Sequence, residues 1–180
     1  MLTKNLEPII SQLEELTRSL FPKILKIYQN PSSSAQRKKD GSPVTAADMH
    51  AHKVIVRFLE SHFPNIPIVS EESFKQKNYK PTKEFWIIDP IDGTKEFINQ
   101  SDEFTTNIAL IQNGKPMLGV VGAPVFDKIW SGIAIQSKNK IKPYYKKQPM
   151  LRIVMSKSHR TVIDKAFLNF LTKKEKNLKI

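Results

Sequence analysis

The sequence contains no cysteine. That excludes a disulfide framework and a thiolate metal site, and it fits a reducing interior. There is no uninterrupted apolar run of the ~18 residues that a bilayer span needs. The opening residues, MLTKNLEPIISQLEEL, place glutamates where a signal peptide requires an unbroken apolar segment. The expected location is therefore the cytoplasm, and the only membrane role left open is peripheral contact at the cytoplasmic face. Acidic side chains are scarce beside basic ones: 17 Asp and Glu against 29 Lys and Arg, a formal charge of +12. The basic residues are nevertheless scattered, in RKK at 37–39, KQKNYKPTK at 75–83, YYKK at 144–147 and KKEKNLK at 173–179, and form no single long block. Zinc fingers, RNA-recognition aromatic motifs, basic zippers and internal repeats are all missing, so no nucleic-acid partner is expected. The charge reads first as a lysine-rich solvated surface that welcomes anions without naming one.

What is present is enough to fold. With 39% hydrophobic and 26% charged residues the chain is too apolar for a disordered one, and 180 residues suit one core, or one core with an appendage. Leu6, Ile9, Ile10, Leu13, Leu16, Leu20, Ile24 and Ile27 recur at spacings of three and four, which predicts an amphipathic helix from Leu6 to Tyr28. Pro22 should kink it or divide it in two. Residues 29–43, rich in turn formers, read as a loop. A second helix is predicted over Thr45–Phe63, with Thr45 as N-cap, Asp48 as its reciprocal partner and Val54, Ile55, Phe58 and Leu59 facing the core.

Strand patterns follow. Ile66–Ser70 is a short strand leading into Glu71 and Glu72, and Phe85–Ile88 is apolar throughout, as a central strand would be. Thr105–Gln112, Pro116–Gly122 and Lys128–Gln136 continue the β pattern, the first two joined by Asn113-Gly114, a strong tight-hairpin signal. A last strand, Arg152–Ser156, and a last helix, Ile163–Leu171, close the chain. Helices followed by a largely antiparallel meander predict a layered α+β domain over residues 1–150, with 151–180 as the opening of something further.

Chemistry concentrates in FWIIDPIDGTKEF, residues 85–97, where a buried strand ends in Asp89 and Asp92 with Pro90 between them. Pro90 has no N–H, so the strand should turn there and aim both carboxylates and the Ile91 carbonyl into one space. An all-oxygen set suits a hard cation such as Mg2+. Glu71, closing the preceding strand, is the natural recruit if the two strands are neighbours, and because alternation sends Glu71 and Glu72 to opposite sides only one of the pair is expected to ligate. Gly93 and Thr94 then offer backbone N–H groups, close approach and a hydroxyl, which is what a phosphate and an attacking water need. Asp-Pro-x-Asp-Gly is also a plain turn sequence, and Asp48 taken alone reads first as a cap. His50 and His52 lie two apart on a helix and cannot share a metal, and His159 beside Ser158 makes no nucleophile–base pair by adjacency; packing or surface roles are expected for the histidines.

WIIDPIDGTKEF, with SPVTAAD at 42–48, IVSEES at 68–73 and NIALIQNGKPMLGVVGAPV at 107–125, resembles the inositol monophosphatase superfamily of Mg2+-dependent phosphatases. Lys95-Glu96-Phe97 is closer to its 3'(2'),5'-bisphosphate nucleotidases of the CysQ type than to inositol monophosphatases proper, which usually have asparagine before that phenylalanine. The resemblance implies that Glu71, Asp89 and the Ile91 carbonyl hold one Mg2+ and that Asp89 and Asp92 share a second, out of two or three ions in the family. It further implies that Asp48 and Thr94 orient and deprotonate the attacking water and that the Gly93 and Thr94 amides contact the phosphate. The implied substrate is adenosine 3',5'-bisphosphate, yielding AMP and phosphate, with its sulfated analogue as a second substrate; inositol monophosphates are the alternative. The family's C-terminal domain carries a Trp-Asp-x-Ala-Ala motif whose aspartate completes the second metal site. Asp102, Asp127 and Asp164 are the aspartates after Asp92, and none has that context. The expectation is a chain truncated before the second domain, with a silent remnant that binds metal or nucleotide as the non-enzyme reading.

Overall fold

The computed structural model describes residues 6–30, 36–37, 43–73, 82–134 and 161–174. The expected strand Arg152–Ser156 lies outside them, as does most of the lysine-rich segment 75–83. The chain divides into two compact units, Met1–Gln136 and Ser137–Ile180.

The first unit opens with α1, Glu7–Tyr28, which buries Ile9, Leu13, Leu16, Leu20, Phe21 and Ile24. Pro22 lies inside it, and the helix is neither ended nor divided there. A proline removes one backbone hydrogen bond, but here the apolar face is buried on both sides of it, from Leu13 to Ile24, and packing outweighs the local loss. The expected loop over 29–43 contains all but Val44 of a small antiparallel pair, β1, Gln36–Arg37, with β2, Pro43–Val44. Next comes α2, Ala46–His62, which starts with the expected capping box: the Thr45 hydroxyl accepts from the Ala47 and Asp48 amides while Asp48 reaches back to the Thr45 amide. Ala47, Ala51, Ile55 and Leu59 are its fully buried apolar residues, with Val54 and Phe58 half-buried at the edge of the core.

Five strands form one sheet in the order β3-β4-β5-β6-β7: β3 Ile68–Ser70, β4 Glu84–Asp92, β5 Thr105–Gln112, β6 Lys115–Ala123 and β7 Lys128–Ile133. The β3–β4 pair is parallel and the rest are antiparallel, so the sheet is mixed where a largely antiparallel meander is the expectation. Between β4 and β5 lies the short helix α3, Thr94–Ile98. Asn113 and Gly114, at φ of 51° and 72°, make the tight turn from β5 to β6 that the Asn-Gly pair predicts.

Alternation divides the sheet into two faces. Trp86 and Ile88 of β4, Ile108 and Leu110 of β5, and Leu118 and Val120 of β6 point into one core with the apolar faces of α1 and α2. Helix α2 lies against β4, and α1 against β6 and β7. The opposite face carries Ile87 and Asp89 of β4, then Asn107 and Ala109 of β5, in register. This layering is the expected α+β architecture. In the second unit, residues 161–174 contain α4, Val162–Lys174, which opens on another capping box: the Thr161 amide and hydroxyl donate to Asp164 Oδ2 at 2.6 and 2.7 Å.

Candidate metal and phosphate site

The parallel register of β3 on β4 sets Ser70 opposite Ile88, and the Glu71 amide donates to the Ile88 carbonyl at 3.2 Å. Glu71 therefore emerges beside Asp89, and the two carboxyl groups hydrogen-bond. Burial first, then the negative charge of Glu71 and that hydrogen bond, then the charges of Asp92 and Asp48, push the Asp89 carboxyl from 3.8 up to about 7. Three carboxyl groups thus act on a fourth. Asp89 Oδ1 is buried with no hydrogen-bond partner among the described residues.

How Asp92 reaches that point is a matter of register. Side chains three apart on a regular strand face opposite ways. Here Asp89 pairs with Asn107 and Asp92 with Thr105, so three residues on β4 span two on β5. The extra residue is a bulge, and it returns Asp92 to the face of Asp89. Pro90 sits in it, where its missing N–H breaks no ladder bond, and the strand continues to Asp92 instead of turning at Pro90 as expected. The buried Thr106 hydroxyl donates to the Pro90 carbonyl at 2.8 Å, giving that carbonyl a partner within the bulge. The Asn107 amide group donates to Asp92 Oδ2 at 3.1 Å.

Asp48 reaches the same place from α2. It is 1% exposed, and its Oδ2 accepts from the Thr45 amide at 2.8 Å and the Thr45 hydroxyl at 2.5 Å. Its other oxygen faces the Thr94 hydroxyl at 3.4 Å, and that hydroxyl also lies 3.1 Å from the Ile91 carbonyl. Asp48 is thus both the cap of α2 and a neighbour of the Asp-Pro-Ile-Asp-Gly-Thr turn. Gly93 has φ of +91°, and a Cβ there would stand 2.9 Å from the Glu103 carbonyl oxygen, so only glycine fits.

Among the described residues no three carboxyl or imidazole groups are already arranged as a metal cage. Each acid is instead turned onto a partner: Glu71 and Asp89 onto each other, Asp92 onto Asn107, Asp48 onto Thr45. The donor set still fits a hard cation, because it is all oxygen and includes a buried carboxylate oxygen with no partner. Asp89 is ionised at a cost that positive charge would relieve.

Asp48, Glu71, Asp89, Ile91, Asp92, Gly93 and Thr94 lie in or beside this cluster, while His50 lines a separate cavity and His159 lies outside the described residues. Sequence reading missed the supports: Thr106, Asn107, and His52, whose Nδ1 is 2.8 Å from the Ser70 hydroxyl. Burial lowers the pKa of that imidazole. Thr106 and Asn107 carry no signal until the β4–β5 register is known, and the His52–Ser70 contact none until α2 is placed against β3. A cavity of about 520 Å3 lined by Leu16, His50, Lys53, Val54, Arg57, Phe58 and Ser61 includes none of the cluster's residues.

The profile of the inositol monophosphatase family matches residues 5–177. The 3'(2'),5'-bisphosphate nucleotidase CysQ of Salmonella typhimurium is 47% identical over 120 residues, which cover 65% of this chain and 48% of that protein. CysQ of Buchnera aphidicola is 36% identical over 161 residues, 84% of this chain and 60% of its own length. The crystal structure of CysQ from Bacteroides thetaiotaomicron, a bacterial member of the inositol monophosphatase family, matches with a TM-score of 0.68 at 30% identity, covering 91% of this chain and 68% of that one. The chain spans about half the length of the Salmonella relative. With the family profile matching from residue 5 to residue 177 and the fold shared with a solved member, this chain belongs to the inositol monophosphatase family.

Proposed function

We propose that the chain is the metal- and phosphate-binding part of a Mg2+-dependent phosphomonoester hydrolase that removes the 3'-phosphate of adenosine 3',5'-bisphosphate, giving AMP and phosphate. The observation that carries this is Asp89: buried, pushed up to about 7 by burial and by three other acids, with one oxygen lacking a partner among the described residues. Glu71, Asp89 and the Ile91 carbonyl would hold one Mg2+, and Asp89 and Asp92 would share another. For that second ion the family adds an aspartate from a Trp-Asp motif that these 180 residues do not contain. When bound, the metal neutralises charge on the phosphoryl oxygens and acidifies water. The chain's own groups do the rest. Thr94, held between Asp48 and the Ile91 carbonyl, orients the attacking water. Asp48 receives its proton, and the Gly93 and Thr94 amides seat the phosphate at a turn where only glycine fits. Attack is direct and in line, with no phosphoenzyme.

Lys95-Glu96 before Phe97 and the CysQ relatives support the nucleotide substrate over inositol monophosphates. On this reading residues 1–150 carry the site and 151–180 begin a second domain, in a soluble cytoplasmic protein; among the described residues no helix is long and apolar enough to cross a membrane. Because the chain spans about half of its relatives, a second reading is metal or nucleotide binding without turnover. Phosphate release is measured with Mg2+ from adenosine 3',5'-bisphosphate and from inositol 1-phosphate, using this chain and a chain extended to the relatives' length. Release from the nucleotide in preference to inositol phosphate supports the proposal. Binding without release by the 180-residue chain leaves the second reading, and no release by the extended chain overturns the hydrolase.

A further inference from the structure

We infer that His52 is a positioning residue: through Ser70 it fixes the turn that presents Glu71 to Asp89, tying the acidic end of β3 to the helix that carries Asp48. The inference deepens the proposed reading and rests on it, since it concerns Glu71 as a metal ligand. His52 lies one helical turn beyond Asp48, so both project from the same side of α2. Its Nδ1 is 2.8 Å from Ser70 Oγ, and Ser70, the last residue of β3, is fully buried. The Ser70 hydroxyl also accepts from the Glu72 amide at 3.4 Å, and the Ser70 carbonyl accepts from the Ser73 amide at 3.2 Å. Glu71 is therefore enclosed by a turn whose two flanks are anchored on Ser70, while its own amide is anchored on β4 through Ile88.

The tether matters because β3 is short. It has three residues and ladder bonds to β4 alone within the described sheet, so little backbone pairing fixes its end. One part-buried side-chain bond to a rigid helix removes much of that freedom and sets the spacing between Glu71 and Asp48. Without it Glu71 would have to be ordered when the metal binds, and the lost conformational entropy would appear as weaker binding. No ligand atom is removed, and the chemistry of the site is unchanged.

The test is calorimetric titration of Mn2+, as a probe divalent cation, into the 180-residue chain and its variants, with urea unfolding alongside. His52→Ala and Ser70→Ala should each weaken Mn2+ binding roughly 10-fold. The double variant should be no weaker than either single one, because both remove one contact. His52→Asn, which keeps a polar atom near the Nδ1 position, should restore most of the affinity. Mn2+ affinity that is unchanged in His52→Ala and Ser70→Ala, losses that add, or failure of His52→Asn to recover affinity while folding normally, each overturns the inference alone. Wild-type protein that takes up no Mn2+ overturns the reading of the site and this inference with it.

Discussion

The two halves of β4 obey opposite rules. From Glu84 to Ile88 the strand pairs residue for residue with β5, and Trp86 and Ile88 are 0% and 2% exposed in the core. From Asp89 to Asp92 the register slips, a proline interrupts the donors, and acids gather with Glu71 and Asp48. The first half gains from burial, while the second is held together against like charge. A site that repels itself can persist only where its neighbours over-determine its geometry, and here the regular half of the same strand does so. The acid at the end of this strand has its own surroundings, on the face away from Trp86 and Ile88: partial burial and the charges of Glu71, Asp92 and Asp48 make an ionised Asp89 costly, and a nearby cation would offset that cost.

The comparison breaks most severely in its regular half. Trp86→Ala, which removes a ring packed 5.2 Å from Phe63 in the core, should cost about 3–5 kcal/mol in urea unfolding. Gly93→Ala comes next. It forces a Cβ into a left-handed conformation and against the Glu103 carbonyl, and should cost up to about 3 kcal/mol in the same measurement. Thr106→Val preserves shape but strips the Pro90 carbonyl of its partner in a buried place, for a loss of about 2 kcal/mol. A larger effect of Thr106→Val than of Trp86→Ala would mean that the bulge, and not the regular ladder, anchors the strand.

What the sequence made legible was local. Thr45 and Asp48 lie three apart and close their own box, and Asn113-Gly114 meets the two positive φ values that its turn needs. Glu71, Asp89 and Asp92 could be named because each ends or follows an apolar run. Properties of pairing were not legible. The parallel β3–β4 contact, the bulge that turns Asp92 to the face of Asp89, and the passage of β4 through Pro90 exist only once strands are neighbours. Pro22 was misleading for the same reason, since packing along the whole of α1 outweighs one missing hydrogen bond. Thr106, Asn107 and His52 are ordinary residues until the fold sets them against Pro90, Asp92 and Ser70.

The central claim is that Asp89 is destabilised by the acids around it and stabilised by a divalent cation. The folded state raises its pKa from 3.8 to about 7, so the native protein binds more protons than the unfolded chain within that window, and metal-free stability must fall as pH rises through it. The direct measurement is the unfolding midpoint of wild type and Asp89→Asn from about pH 5 to about pH 8, without and with Mg2+. Wild type should lose stability toward the upper pH and regain it with Mg2+, while Asp89→Asn should show no such fall, the partly buried imidazoles of His50 and His52 favouring the higher pH, and should respond little to the metal. A wild-type midpoint that neither falls with pH nor responds to Mg2+, or an Asp89→Asn variant that Mg2+ stabilises equally, would contradict the account.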